Sequence, residues 1–301
     1  MIKKIIFVAL ILLVFSLAAI KSKALTQAEL TLRAYLPIII GPPEFACATS
    51  SSNQYTSGAV FQYDTDNPVR PAYNHADKNI ELRGYVVNTD PNLKRELVDY
   101  GSGDATQPPQ VATLLNPPQV PPFADFYRVH QWNWQPSDEG PGTRDNPIEM
   151  PPTTAVSFTL PPGTPLHTPV SGYDIGGGME VIVLFADADT ITLHYTREDS
   201  AATGYTLHLD HICTDPHLLS LYNSLDAPHG PRYQYPALSY NLPTLPAGKS
   251  FGTTSAQNMV IAIVDTGAFQ DPRSCNEWWQ SRPGYPRLCP PAWSISANGE
   301  K

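Results

Sequence analysis

Imidazole and carboxylate side chains gather in two short runs, His75-Ala76-Asp77 and His208-Leu209-Asp210-His211. Such side chains hold zinc in hydrolytic centres, which need three protein ligands and an open position for water. His75, Asp77 and His208 would supply such a set if the fold brought them together. Along a strand, however, His208 and His211 point to opposite faces, because side chains alternate. The eight histidines are therefore expected to be surface or hydrogen-bonded residues, with His194 and His208 able to face each other across a hairpin. No cofactor is expected; zinc enters only with the rearranged set. Gly176-Gly177-Gly178 precedes an apolar run and lacks the lysine-serine ending of a phosphate loop, so a plain turn is expected. Arg197-Glu198-Asp199 reads as a solvated charge cluster on a turn, and no Gly-x-Ser-x-Gly nucleophile elbow occurs.

Aromatic pairs are the stronger binding signal. Trp132 and Trp134 lie two apart, on one face of a strand, and Trp278 and Trp279 stand beside Cys275. Flat aromatic surfaces stack on sugar rings. The competing roles are a core face for the first pair and tail-to-body contact for the second. The four cysteines, Cys47, Cys213, Cys275 and Cys289, form no C-x-x-C and admit three pairings. The closeness of Cys275 and Cys289 favours that bridge together with Cys47–Cys213.

These residues must be positioned mostly by strands. Alternating or continuous apolar runs predict strands at residues 59–63, 80–87, 126–134, 181–186, 190–196, 205–209 and 259–264. Loops are expected at 101–122 and 136–152, with hairpin loops at 187–189 and 198–204, and Asp265-Thr266-Gly267 ends the last strand. One short helix is expected at 218–222, opened by Asp215-Pro216, where the aspartate caps and the proline takes the first helical position. The polar segment 70–85 either braces a turn through Asx-type hydrogen bonds or lines a site.

Four blocks within residues 161–272 carry a family resemblance. They are Gly163-Thr164-Pro165-Leu166-His167-Thr168-Pro169-Val170-Ser171-Gly172, Tyr205-Thr206-Leu207-His208-Leu209, Gly248-Lys249-Ser250-Phe251-Gly252, and the final run from Ile261 through Asp265-Thr266-Gly267 to Asp271-Pro272. In this order they resemble the β module of lysostaphin-type zinc endopeptidases, the peptidoglycan cross-bridge hydrolases, over about residues 153–280. The resemblance implies two zinc ligands from an H-x-x-x-D segment, at about Thr153 and Ser157. It implies a third from an H-x-H segment, whose places fall at Asn258 and Val260. Threonine, serine and valine cannot replace histidine and aspartate as zinc ligands. Only His208 remains, as the counterpart of a catalytic histidine that acts beside the metal. The resemblance thus implies a degenerate module without its zinc.

Composition agrees with a loop-rich β protein. There are 32 prolines in 301 residues, roughly twice the usual share, and proline breaks helix interiors. Lys3 and Lys4, an apolar run over residues 5–20 and Ser22-Lys23-Ala24 read as a signal peptide cleaved after Ala24. Removing residues 1–24 takes away four lysines and no acid, so the formal charge moves from −9 to −13. Such a surface repels nucleic acid and anionic membrane. The expected organisation is a signal peptide (1–24), a tether (25–43), an N-terminal β region (44–150), a peptidase-like β module (151–280) and a Pro/Trp tail (281–301). The expected fold class is all-β with long proline-rich loops and one short helix. The expected function is non-catalytic binding or scaffolding outside the cell or at its envelope, on peptidoglycan, another extracellular glycan or a surface protein. No nucleic acid and no membrane span after signal cleavage are expected. The alternative is an extracellular zinc-dependent hydrolase of peptidoglycan built on His75, Asp77 and His208.

Overall fold

A computed structural model describes residues 45–61, 72–98, 108–135, 141–225 and 239–280. The signal peptide, the tether, the Pro/Trp tail and Cys289 lie outside these residues. In chain order the strands are β1 (Thr56–Phe61), β2 (Tyr85–Val87), β3 (Phe123–Asn133), β4 (Thr143–Pro147), β5 (Ala155–Thr159), β6 (Pro165–His167) and β7 (Val181–Ala186). They continue with β8 (Thr190–His194), β9 (Tyr205–Asp210), β10 (Ile212–Thr214), β11 (Ser239–Leu245), β12 (Ser250–Thr254), β13 (Asn258–Asp265) and β14 (Ala268–Gln270). The helices are α1 (Ile80–Arg83), α2 (Pro216–Ser224) and α3 (Cys275–Trp278). The described residues are mostly β, with 40% strand and 12% helix. Among the described residues no helix is long and apolar enough to cross a membrane.

One large sheet runs in the order β1-β11-β7-β8-β9-β13-β5-β3-β2, with β14 added to β13 and β4 to β3. A small sheet, β10-β12-β6, stands apart from this path. The continuous apolar run of β7 is buried at all six positions, as expected of a strand covered on both faces. On one face Leu193, Leu207, Leu209, Ile261, Ile263, Val156 and Phe158 join the main core, which also takes in Leu218 and Tyr222 of α2. On the other face Val260, Ala262, Val264 and Ala155 form a smaller apolar cluster with Ile80, Val129 and Phe269. Strands on either side of residue 150 share the large sheet, since β3 pairs with β5 and β1 with β11. Residue 150 therefore marks no break in it.

Several local expectations change. Residues 80–87 are not one strand. Asn79 Oδ1 accepts from the Glu81 N–H at 3.0 Å and starts the α1 turn. Gly84, at φ 60°, then reverses the chain into β2. The Asx-type reading of 70–85 is thus the one realised at Asn79. Inside the expected loop 136–152, β4 pairs with β3 through Trp132↔Arg144 and Asn133↔Thr143. Helix α2 is capped as expected, with Asp215 accepting from the His217 and Leu218 N–H groups. Cys47 is bonded to Cys213, across a sequence separation of 166. Cys275 is also disulfide-bonded.

Candidate functional site

The hairpin β8–β9 carries three polar pairs in register, Thr190↔Asp210, Thr192↔His208 and His194↔Thr206. Directly opposed residues share a face of the sheet, so the six side chains form three stacked tiers. All six are buried, with His194 0% and His208 1% exposed. Each tier is closed by a hydrogen bond, because unpaired polar groups are costly away from water. Thr190 Oγ1 donates to Asp210 Oδ1 at 3.3 Å. His194 Nδ1 and Thr206 Oγ1 are 2.8 Å apart, and His194 Nε2 meets Thr196 Oγ1 at 2.7 Å.

The middle tier fixes a tautomer. Thr192 Oγ1 donates its single proton to the Lys78 carbonyl at 2.6 Å. It must therefore accept from His208 Nδ1, 2.9 Å away. His208 then carries its proton on Nδ1, and its buried Nε2 has no hydrogen-bond partner among the described residues. Burial, the largest influence on both rings, pushes the His208 and His194 pKa values down to about 3. Both imidazoles are neutral at neutral pH.

Residues 72–85 cover this face. Tyr85 donates its hydroxyl proton to Asp210 Oδ2 at 2.7 Å; burial first, and then that carboxylate, pushes the phenol pKa up. Lys78 and Asp199 are both buried, with Nζ and Oδ2 3.9 Å apart. Asp199 also accepts from the Tyr240 hydroxyl at 3.0 Å. Arg83 holds Asp77 Oδ1 at 2.5 Å, donates to the Ala76 and His130 carbonyls at 3.1 Å, and lies 5.3 Å above the Phe269 ring. Phe269 in turn stacks with His208 at 6.2 Å. Burial, followed by the carboxylates of Asp187, Asp189 and Asp210, raises the Glu81 pKa.

These contacts correct three sequence expectations. His75, Asp77 and His208 do not converge as ligands: Asp77 faces Arg83, and His75 Nδ1 accepts from the Asp77 N–H at 3.2 Å. No group of three His, Cys, Asp or Glu among the described residues is arranged to hold a metal. Asp199 is not solvated but buried against Lys78. Trp278 and Trp279 are core residues, 1% and 0% exposed, whose Nε1 atoms donate to the Asp271 and Pro272 carbonyls. Neither ring is open to a sugar. Trp132 and Trp134 are half-buried, but β3 ends at Asn133, so Trp132 lies in the strand and Trp134 just beyond it. Their rings meet at 69° rather than forming one flat surface, and Trp132 Nε1 is bonded to the Pro141 carbonyl at 2.9 Å. Trp134 lies 5.1 Å from the His75 ring.

Ser157 and Val260, where the resemblance places ligands, are directly opposed across β5 and β13. Ser157 Oγ accepts from the Asp125 N–H at 2.9 Å. Thr153 is fully buried, and Asn258 lies exposed at the start of β13. The partners Thr190, Thr192 and Thr206 and the covering Lys78, Arg83 and Tyr85 were not singled out from the sequence. Their signal was a polar residue at every second place in otherwise apolar strands, Thr-x-Thr-x-His in 190–194 and Thr-x-His-x-Asp in 206–210. No protein-family model matches the chain, and no curated protein matches it.

Proposed function

We propose that the protein is an exported, non-catalytic relative of the lysostaphin-type endopeptidases that binds or scaffolds at the cell envelope. One observation carries this reading. The face that would hold the zinc and admit the substrate is filled by the chain's own residues 72–85, bonded to it through Tyr85–Asp210 and Lys78–Thr192. Further support comes from the register. Ser157 and Val260 sit opposite each other, and β9 with His208 flanks β13 on its other side. The family's ligand places at Ser157 and Val260 thus share one face with the vestigial His208, while the ligands themselves are replaced. A hydrolytic zinc centre needs both its ligands and an open position, and the cover takes the room for the second. Export accords with the Cys47–Cys213 disulfide, since such bonds persist in oxidising compartments.

The test is purification of the exported protein, zinc analysis, and incubation with insoluble peptidoglycan in the presence of added zinc. The reading expects retention on the solid without release of cross-bridge peptides. Stoichiometric zinc accompanied by peptide release would contradict it.

A further inference from the structure

A second site lies where the N-terminal segment crosses helix α2, and it stands independently of the peptidase resemblance. The Cys47–Cys213 bond anchors that segment. Ser51 Oγ and Asn53 Nδ2 donate to Asp215 Oδ2 at 2.6 and 2.7 Å, on the carboxylate that caps α2. The His217 ring meets the Asn53 carbonyl through Nδ1 at 2.9 Å. A carbonyl only accepts, so Nδ1 carries a proton, and in the neutral ring Nε2 is then an acceptor. Tyr55 is held by its hydroxyl, which donates to the Ser250 carbonyl at 2.9 Å, and by Lys249 Nζ, 4.9 Å from its ring centroid.

Between segment and helix lies an open, shallow cleft of about 340 Å³, lined by Asn53, Gln54, Tyr55, His217, Ser220 and Ser224 together with one leucine. The helix residues lie at i, i+3 and i+7, on one face of α2. The lining offers amides, hydroxyls and an imidazole acceptor beside one aromatic ring, and none of its residues is acidic, lysine or arginine. The nearest carboxylate, Asp215, is already engaged on Oδ2 by Ser51 and Asn53 and on Oδ1 by the His217 and Leu218 N–H groups. The neighbouring Lys249 is already drawn over the Tyr55 ring, so the lining residues themselves present no carboxylate, lysine or arginine to an ionic ligand. A ligand with many hydroxyls and apolar C–H faces matches it, and the volume is at the small end of ligand sites, about 300–1,000 Å³.

We propose that this cleft binds one ring of a neutral sugar. The ring approaches Tyr55 with its C–H face and exchanges hydrogen bonds with Gln54, Ser220, Ser224 and His217 Nε2.

The test titrates the full exported chain with neutral saccharides, namely N-acetylglucosamine, glucose and mannose and their oligomers, by calorimetry. Ser220→Trp fills the cleft from an exposed helix position, and Asn223→Ala, also exposed on α2, serves as the control. Circular dichroism confirms that both variants fold, and Gln54→Ala gives a second reading should Ser220→Trp not fold. At least one saccharide is expected to bind, with a loss of about tenfold or more in Ser220→Trp, a smaller loss in Gln54→Ala and no change in Asn223→Ala. Raising salt to about 0.5 M, where screening is nearly complete, is expected to leave binding unchanged. Binding of the monosaccharide alone identifies a free sugar as sufficient, and binding only of oligomers identifies a glycan chain; either supports the site. No saccharide binding at millimolar concentration, binding unaltered in Ser220→Trp, or binding abolished by salt would overturn it. Zinc-dependent hydrolysis by the wild type would sink the non-catalytic reading and leave this measurement standing.

Discussion

His208 is a side chain suited to catalysis that the fold buries and hydrogen-bonds to Thr192. Its Nδ1 proton is committed to Thr192, and burial keeps the ring neutral down to about pH 3. A histidine whose folded pKa lies far below the unfolded value, about 6.5, makes stability depend on pH. Above about pH 6.5 both states hold a neutral ring and there is no penalty. As pH falls below that value the unfolded chain binds a proton that the folded chain refuses, so stability drops until about pH 3. Each of His194 and His208 contributes a slope of up to about 1.4 kcal/mol per pH unit in that window. Urea titrations from pH 7 to pH 4 are expected to show this loss, and His208→Gln is expected to flatten it relative to wild type. Equal slopes in both proteins would contradict the assignment. At the neighbouring tier, Tyr85→Phe removes the donor to Asp210 Oδ2. It is expected to cost about 1–3 kcal/mol in urea denaturation, the range for orphaning a buried acceptor.

Among the elements, the cover formed by residues 72–85 decides what the hairpin beneath it can do. One buried anchor is Lys78, 3% exposed and facing a fully buried Asp199. Removing one member of a buried ion pair leaves an uncompensated charge, at about 3–5 kcal/mol. Lys78→Ala is therefore expected to lower stability by about that much, read from the urea midpoint. A loss below about 1 kcal/mol, typical of exposed pairs, would mean that Lys78 does not hold the cover. The strands were legible either as continuous apolar runs, as in Val181–Ala186 and Asn258–Asp265, or as alternation, as in Thr190–His194 and Tyr205–Asp210. The cover was not. Ile80 and Leu82, and after the glycine Tyr85 and Val87, alternate in pairs as strand residues do, yet Asn79 and Gly84 bend the segment into a turn of helix and back. Local capping and a left-handed glycine outweighed a short hydrophobic pattern. The same limit hid Asp199, whose charge reads as solvent-facing until Lys78, far off in sequence, is brought against it.

For the whole molecule, the large sheet joins strands from both ends of the described chain, and the Cys47–Cys213 bond closes a loop across 166 residues. Cross-links over long loops restrict the unfolded chain most. Cys47→Ser with Cys213→Ser is expected to cost roughly 2–5 kcal/mol and to loosen the segment that walls the α2 cleft. Thermal denaturation of the two forms checks the first effect and saccharide titration the second. The candidate site was only partly legible at this scale. His208 stood out by its type, but what surrounds it depends on which distant segment lies across the sheet, and no spacing rule encodes that. The tryptophans were legible as large apolar groups, while their orientation, buried for Trp278 and Trp279, depends on a sheet assembled from remote strands.

We propose that the sheet face around His208, Ser157 and Val260 is closed to zinc by the residues that cover it. The most direct measurement is equilibrium dialysis of the purified chain against micromolar zinc, followed by elemental analysis and assay on peptidoglycan. The account expects far less than one zinc per chain and no cross-bridge cleavage. One zinc per chain, lost together with cleavage activity in His208→Ala, would contradict it.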